Sequence, residues 1–260
     1  MKKAPYILAL VVVLLLVLIG VLGYRYIQSG VPSTPPAHVE ESLATRTEET
    51  DSLSLNVTYP TISEITQKAA QANQEMKAGI DARIESFKKD ALESWGMSID
   101  LPKDIKSTVT GSPSIEENNE RYVAIFMGME WYLRGSAHPS HSIDTYIYDY
   151  KEGKLIAVSA LFKDGSQYLS LLSKLSRDDL MAQAKEGDTG FMYDREMVEL
   201  GTEPAVENFA RVLPLKDGLV IYFDEYQVAP YAAGPQQVVI PYAKLQAVIN
   251  PDGVLGVYIK

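Results

Sequence analysis

The chain has 260 residues and no cysteine, which rules out disulfides, thiolate zinc sites, a cysteine nucleophile and a lipid-modified cysteine. Its net charge is −10, and setting aside the three cations of the amino end, Lys2, Lys3 and Arg25, leaves −13 on the remainder. Such a surface repels nucleic acid and anionic lipid, so any partner steered by charge is cationic.

Residues 6–23 read YILALVVVLLLVLIGVLG without a charge, and as a helix this run measures about 27 Å, enough to cross a bilayer once. Lys2 and Lys3 precede it and only Arg25 follows closely, so the positive-inside rule puts the amino terminus in the cytoplasm and the rest outside. Tyr6, Tyr24 and Tyr26 suit the two interfaces. A signal peptide cleaved near Val21-Leu22-Gly23 is the competing reading, against which stands the length of the apolar run. Residues 1–27 are therefore expected to be a single-pass signal-anchor of the cell membrane, with a cytoplasmic end too short for a signalling domain. Residues 28–56 carry Pro32, Pro35, Pro36 and the acids Glu40, Glu41, Glu48, Glu49 and Asp51 against Arg46, and predict a disordered, self-repelling tether.

Residues 57–260 then predict one extracytoplasmic α+β domain, divisible into two lobes at about 57–165 and 166–260. Apolar residues at Ile62, Ile65, Ala69, Ala72, Met76, Ile80, Ile84, Phe87, Ala91 and Trp95 follow the spacing of one helix face. Pro60 before and Gly96 after mark the ends of that long amphipathic helix. Residues 121–133, 142–150 and 154–158 read as strands rich in aromatic and branched side chains, with a turn at Lys151-Glu152-Gly153 and another at 159–162. Leu169, Leu172, Leu175, Leu180 and Met181 predict a second helix over 166–184. Residues 208–215 and 219–224 flank Lys216-Asp217-Gly218, a hairpin signal. A strand at 236–240, a short helix at 242–249, a turn at Asn250-Pro251-Asp252-Gly253 and a terminal strand at 254–259 complete a set of helices packed on a mainly antiparallel sheet.

No glycine-rich phosphate loop, dinucleotide fingerprint, Gly-x-Ser-x-Gly elbow or His-Glu-x-x-His motif is present, and no cofactor is expected. Ser86-Phe87-Lys88-Lys89 fits Ser-x-x-Lys by chance, since its Ser-Asp-Asn and Lys-Thr-Gly partners are missing. Two of the three histidines fall in Gly135-Ser136-Ala137-His138-Pro139-Ser140-His141. With Asp144 they have the composition of an open two-imidazole, one-carboxylate metal site that activates water, although Pro139 precludes a regular helical pair. The alternative is a loop ordered by a hydrogen bond from His138 to backbone. Tyr146, Tyr148, Tyr150, Tyr222, Tyr226 and Tyr231 suit either a sugar- or protein-binding surface or the core, and alternation puts the first three on one side of their strand.

Tyr59-Pro60, the 135–139 loop, Tyr146, Gly153-Lys154-Leu155, Leu161-Phe162-Lys163-Asp164-Gly165 and above all FDEYQVAPYAAG at 223–234, leading to Val238-Val239-Ile240-Pro241, resemble a known family. It is a bacterial extracytoplasmic family of unknown function (domain of unknown function 3298, with its companion 4163), found in a lysozyme-sensing anti-sigma factor and at the front of a peptidoglycan deacetylase. The resemblance runs from about residue 59 to the end and implies an α+β envelope domain that works by binding, in one setting binding lysozyme. The short cytoplasmic end and the missing deacetylase domain mean that neither named activity carries over. The leading expectation is a non-catalytic module that binds a wall glycan or a cationic envelope protein such as lysozyme through His138, His141, Asp144, Tyr146, Tyr226 and Tyr231, with the lipid bilayer met through 6–23. A metal-assisted cell-wall hydrolase or deacetylase using His138, His141 and Asp144 is the rival, and a spacer without a ligand is the third reading.

Overall fold

The computed structural model describes residues 44–63, 66–96, 101–102, 104–186 and 194–259. The expected anchor at 6–23 lies outside them; among the described residues no helix is long and apolar enough to cross a membrane.

A six-stranded sheet runs in chain order: β1 (Thr45–Glu49), β2 (Leu53–Thr58), β3 (Ser107–Asn118), β4 (Tyr122–Tyr132), β5 (Ser140–Asp149) and β6 (Lys154–Leu155). Neighbours are antiparallel except β2 and β3, which are parallel because helix α1 (Gln67–Gly96) makes the crossover between them. The expected tether thus ends earlier than residue 56. Leu53, Leu55 and Val57 alternate with polar residues and bury every second side chain, a period the acidic composition concealed. β1 is the charged outer strand, the composition that discourages edge-to-edge pairing. β3 was not anticipated: Gly111, Pro113 and its acids weaken the strand pattern, and its pairing with β4 compensates.

Helix α1 begins at Gln67, where Thr66 Oγ1 accepts a hydrogen bond from the Ala69 N–H at 3.0 Å. Ile62 is buried but precedes the helix; the Asn73 side chain satisfies both its backbone N–H (2.7 Å) and its carbonyl (2.8 Å). The expected apolar stripe, Ala69, Ala72, Met76, Ile80, Ile84 and Ala91, packs on one face of the sheet against Val123, Ile125, Met127 and Met129 of β4. The alternate residues Tyr122 and Ala124 are buried on the other face, so β4 reads as an apolar run because both of its faces are covered.

The second layer holds α2 (Tyr168–Glu186), α3 (Arg195–Gly201) and a three-stranded antiparallel sheet, β7 (Val212–Leu215), β8 (Gly218–Phe223) and β9 (Gln236–Ile240). The Lys216-Asp217 turn joins β7 and β8 as expected, and Gly218 is required because a Cβ there would lie 2.6 Å from the Ile240 carbonyl oxygen. Short α3, also unforeseen, is capped by Asp194, whose carboxylate accepts from Glu196 N–H at 2.9 Å. Residues 207–209 and 242–244 form 3-10 turns, so the first expected strand and the short helix are each shorter than their patterns.

The terminal strand expected at 254–259 is instead a 3-10 helix over Val254–Tyr258. Val254 and Leu255 are consecutive and both fully buried in one core, which strand alternation forbids. That core joins Tyr122, Ala124 and Ile147 to residues from Leu161 through Leu255 and so runs across the expected division near residue 165; the described residues fall in one compact unit.

Candidate functional site

The second layer covers only part of the sheet face opposite α1. Tyr122 and Ala124 are buried beneath it and Phe126 partly so, but Gly128 and Glu130 line an open cleft of about 1030 Å³. Strand register aligns its floor: Asn56 pairs with Thr110, Thr110 with Glu130 and Glu130 with His141, a polar row across β2, β3, β4 and β5. Thr58 and Ser112 add hydroxyls to the floor, while Tyr222, Tyr231 and residues 232–237 form the facing wall.

The wall segment between β8 and β9 is clamped to β5 and the loop before it. The Glu225 carboxylate, almost wholly buried, accepts from the His141 backbone N–H at 3.1 Å and holds His141 Nδ1 at 2.5 Å. Glu130 Oε2 lies 3.2 Å from the other ring nitrogen. The hydrogen bond to Glu225 raises the His141 pKa above its ordinary value against the opposing effect of burial. Beside this clamp the His138 ring stacks on Tyr231 with centroids 3.7 Å apart, and the Tyr231 hydroxyl donates to the Pro139 carbonyl at 2.9 Å. Tyr226 stacks on the ring of Tyr231 at 5.9 Å. It is exposed and holds a φ of 65°, a left-handed conformation that costs a non-glycine residue about 1 kcal/mol or more.

His138, His141, Tyr226 and Tyr231 are therefore brought together, as two distant stretches of sequence meeting. His138 also contacts backbone within its loop, with Nδ1 2.8 Å from the Pro139 carbonyl oxygen. Asp144 and Tyr146 are not part of this assembly. An odd offset of three residues along β5 sends His141 and Asp144 to opposite faces, and Asp144 pairs with Arg83 of α1. The metal trio of His138, His141 and Asp144 is thus not formed, and the described residues contain no group of three or more His, Asp or Glu side chains arranged to hold a metal. Tyr146 follows Asp144 to the α1 face, where with Tyr148 and Tyr150 it packs in the core; burial raises its pKa. Glu225, Glu130, Asn56 and Thr110 were missed from sequence. Only Glu225 left a signal, lying inside the FDEYQVAPYAAG block; the others become neighbours through register alone.

Residues 159–243 match the family model described as protein of unknown function (DUF3298). A stretch of 128 residues, 49% of this chain, is 29% identical to the peptidoglycan-N-acetylmuramic acid deacetylase PdaC of Bacillus subtilis (strain 168) and spans 26% of that protein. A solved DUF3298 member from Bacteroides fragilis superposes with a TM-score of 0.62 at 17% identity, covering 86% of this chain and 98% of that one. Another, from Pseudomonas aeruginosa PAO1, gives 0.59 at 13% identity over 83% and 95%. At those identities the likeness is one of fold. Residues 159–243 thus match the DUF3298 family model, set within a fold shared with solved members of that family.

Proposed function

We propose that the chain is a non-catalytic binding module of the bacterial envelope that takes a wall glycan in the cleft between the Asn56–Thr110–Glu130–His141 row and the 231–237 wall. The observation that carries this reading is the cleft: a sugar needs many fixed donors and acceptors beside an aromatic surface, and four adjacent strands present them in register next to Tyr222 and Tyr231. The likeness to a protein named for its action on peptidoglycan points to the same ligand class. In this reading residues 6–23 keep the domain at the outer face of the cell membrane.

A cationic envelope protein such as lysozyme is the second reading, favoured by the charge of −13 that remains without the amino-terminal cations. Calorimetric titration of the purified full chain with wall oligosaccharides stripped of peptide tests the first. We expect saturable binding that the exposed-floor variant Ser112→Trp weakens by about tenfold or more by filling the cleft. Glycan binding that Ser112→Trp leaves unchanged, or salt-sensitive binding to lysozyme alone, overturns it.

A further inference from the structure

Resting on the glycan reading, we infer that the cleft prefers saccharides carrying a free amine, glucosamine units without their acetyl group, and that Glu130 receives the ammonium. Among the described residues no lysine or arginine lines the cleft, and the ionisable side chains there are Glu130, Glu225 and His141. Two carboxylates flank one imidazole, so the site keeps at least one uncompensated negative charge whether or not the ring is protonated. That charge resides on Glu130. Both oxygens of Glu225 are already occupied, one by the His141 ring and one by its backbone N–H, and its side chain is only 6% exposed. Glu130 is 46% exposed and meets His141 through Oε2 at 3.2 Å, which leaves Oε1 available to a ligand.

The surroundings suit an amino sugar. Thr110, one strand from Glu130 in the register, and Asn56, two strands away at about 9–10 Å, offer a hydroxyl and an amide to hydroxyls of the same sugar and of its neighbour. An ammonium there forms an ion pair as well as a hydrogen bond with the carboxylate, whereas an acetamido N–H carries no charge and can make the hydrogen bond alone. Anionic polymers meet a net negative charge and, among the described lining residues, no lysine or arginine.

The test titrates the full chain with two tetrasaccharides of equal length, N-acetylglucosamine and fully deacetylated glucosamine, at a pH where the amine is protonated. The wild type is expected to bind the deacetylated form about tenfold more tightly. Glu130→Gln, nearly isosteric and half-exposed, is expected to abolish that preference, so that the two sugars bind the variant with equal affinity, with a single cooperative thermal melt as the folding control. Equal wild-type binding of both sugars overturns the amine preference and leaves the glycan reading standing. A preference that survives Glu130→Gln assigns it to the acidic surface at large and overturns the role of Glu130. Binding of neither sugar removes the glycan reading and this inference with it.

Discussion

At the scale of single residues the site depends on a histidine held by two acids. The hydrogen bond to Glu225 places the His141 pKa in the folded state above the ordinary 6.5, so the folded protein binds that proton more tightly than the unfolded chain. The stabilisation is complete below about pH 6.5 and is lost as pH rises through the elevated folded value. His141→Asn removes the titrating group, and the melting-temperature gap between wild type and variant should be wider near about pH 6 than near about pH 8. A gap of equal size at both pH values would show that the pair contributes only neutral packing. The strained backbone of Tyr226 belongs to the same scale. An exposed aromatic retained at a φ of 65°, where glycine fits without cost, is the kind of local expense found beside binding surfaces.

At the scale of elements, the legible ones are those whose pattern is long and local. The stripe of α1 spans 30 residues and is readable throughout, whereas β3 carries no dominant period because part of it faces solvent. β1 is the extreme case: an edge strand without a buried apolar side chain, held by ion pairs to the helix that crosses beneath it. Arg46 reaches Asp81 at 2.9 Å and Glu85 at 2.6 Å, and Glu48 meets Lys88 at 2.6 Å. These side chains are partly exposed, so Arg46→Ala should cost global stability no more than about 1 kcal/mol. Its effect should instead be local, with faster amide exchange over residues 45–49 while α1 stays protected. Unchanged exchange in β1 would mean that the β1–β2 ladder alone holds the edge.

At the scale of the whole molecule, the two layers are joined at Tyr122, which is fully buried and whose hydroxyl donates to the Pro214 carbonyl at 2.9 Å and meets the Tyr258 hydroxyl at 2.6 Å. Tyr258 in turn stacks on Tyr242 at 4.2 Å, so one tyrosine of the first sheet fastens β7 and the carboxyl-terminal 3-10 helix together. Tyr122→Phe leaves those partners short of a hydrogen bond and should lower unfolding free energy by about 1–2 kcal/mol in urea titration. A loss within error would mean that apolar packing alone joins the layers. The sequence by itself determined the α+β class, the long helix, the 216–217 hairpin and the resemblance that the family match over 159–243 supports, because helix period, turn chemistry and a specific block of residues are local properties. Only the tertiary structure decided that His141 and Asp144 part company across β5, that Glu130 and Glu225 close on His141 from separate elements, and that a cleft opens where the second layer stops. Those outcomes depend on which face of a strand each side chain occupies and on cross-strand register, and both are set by partners far away in the chain.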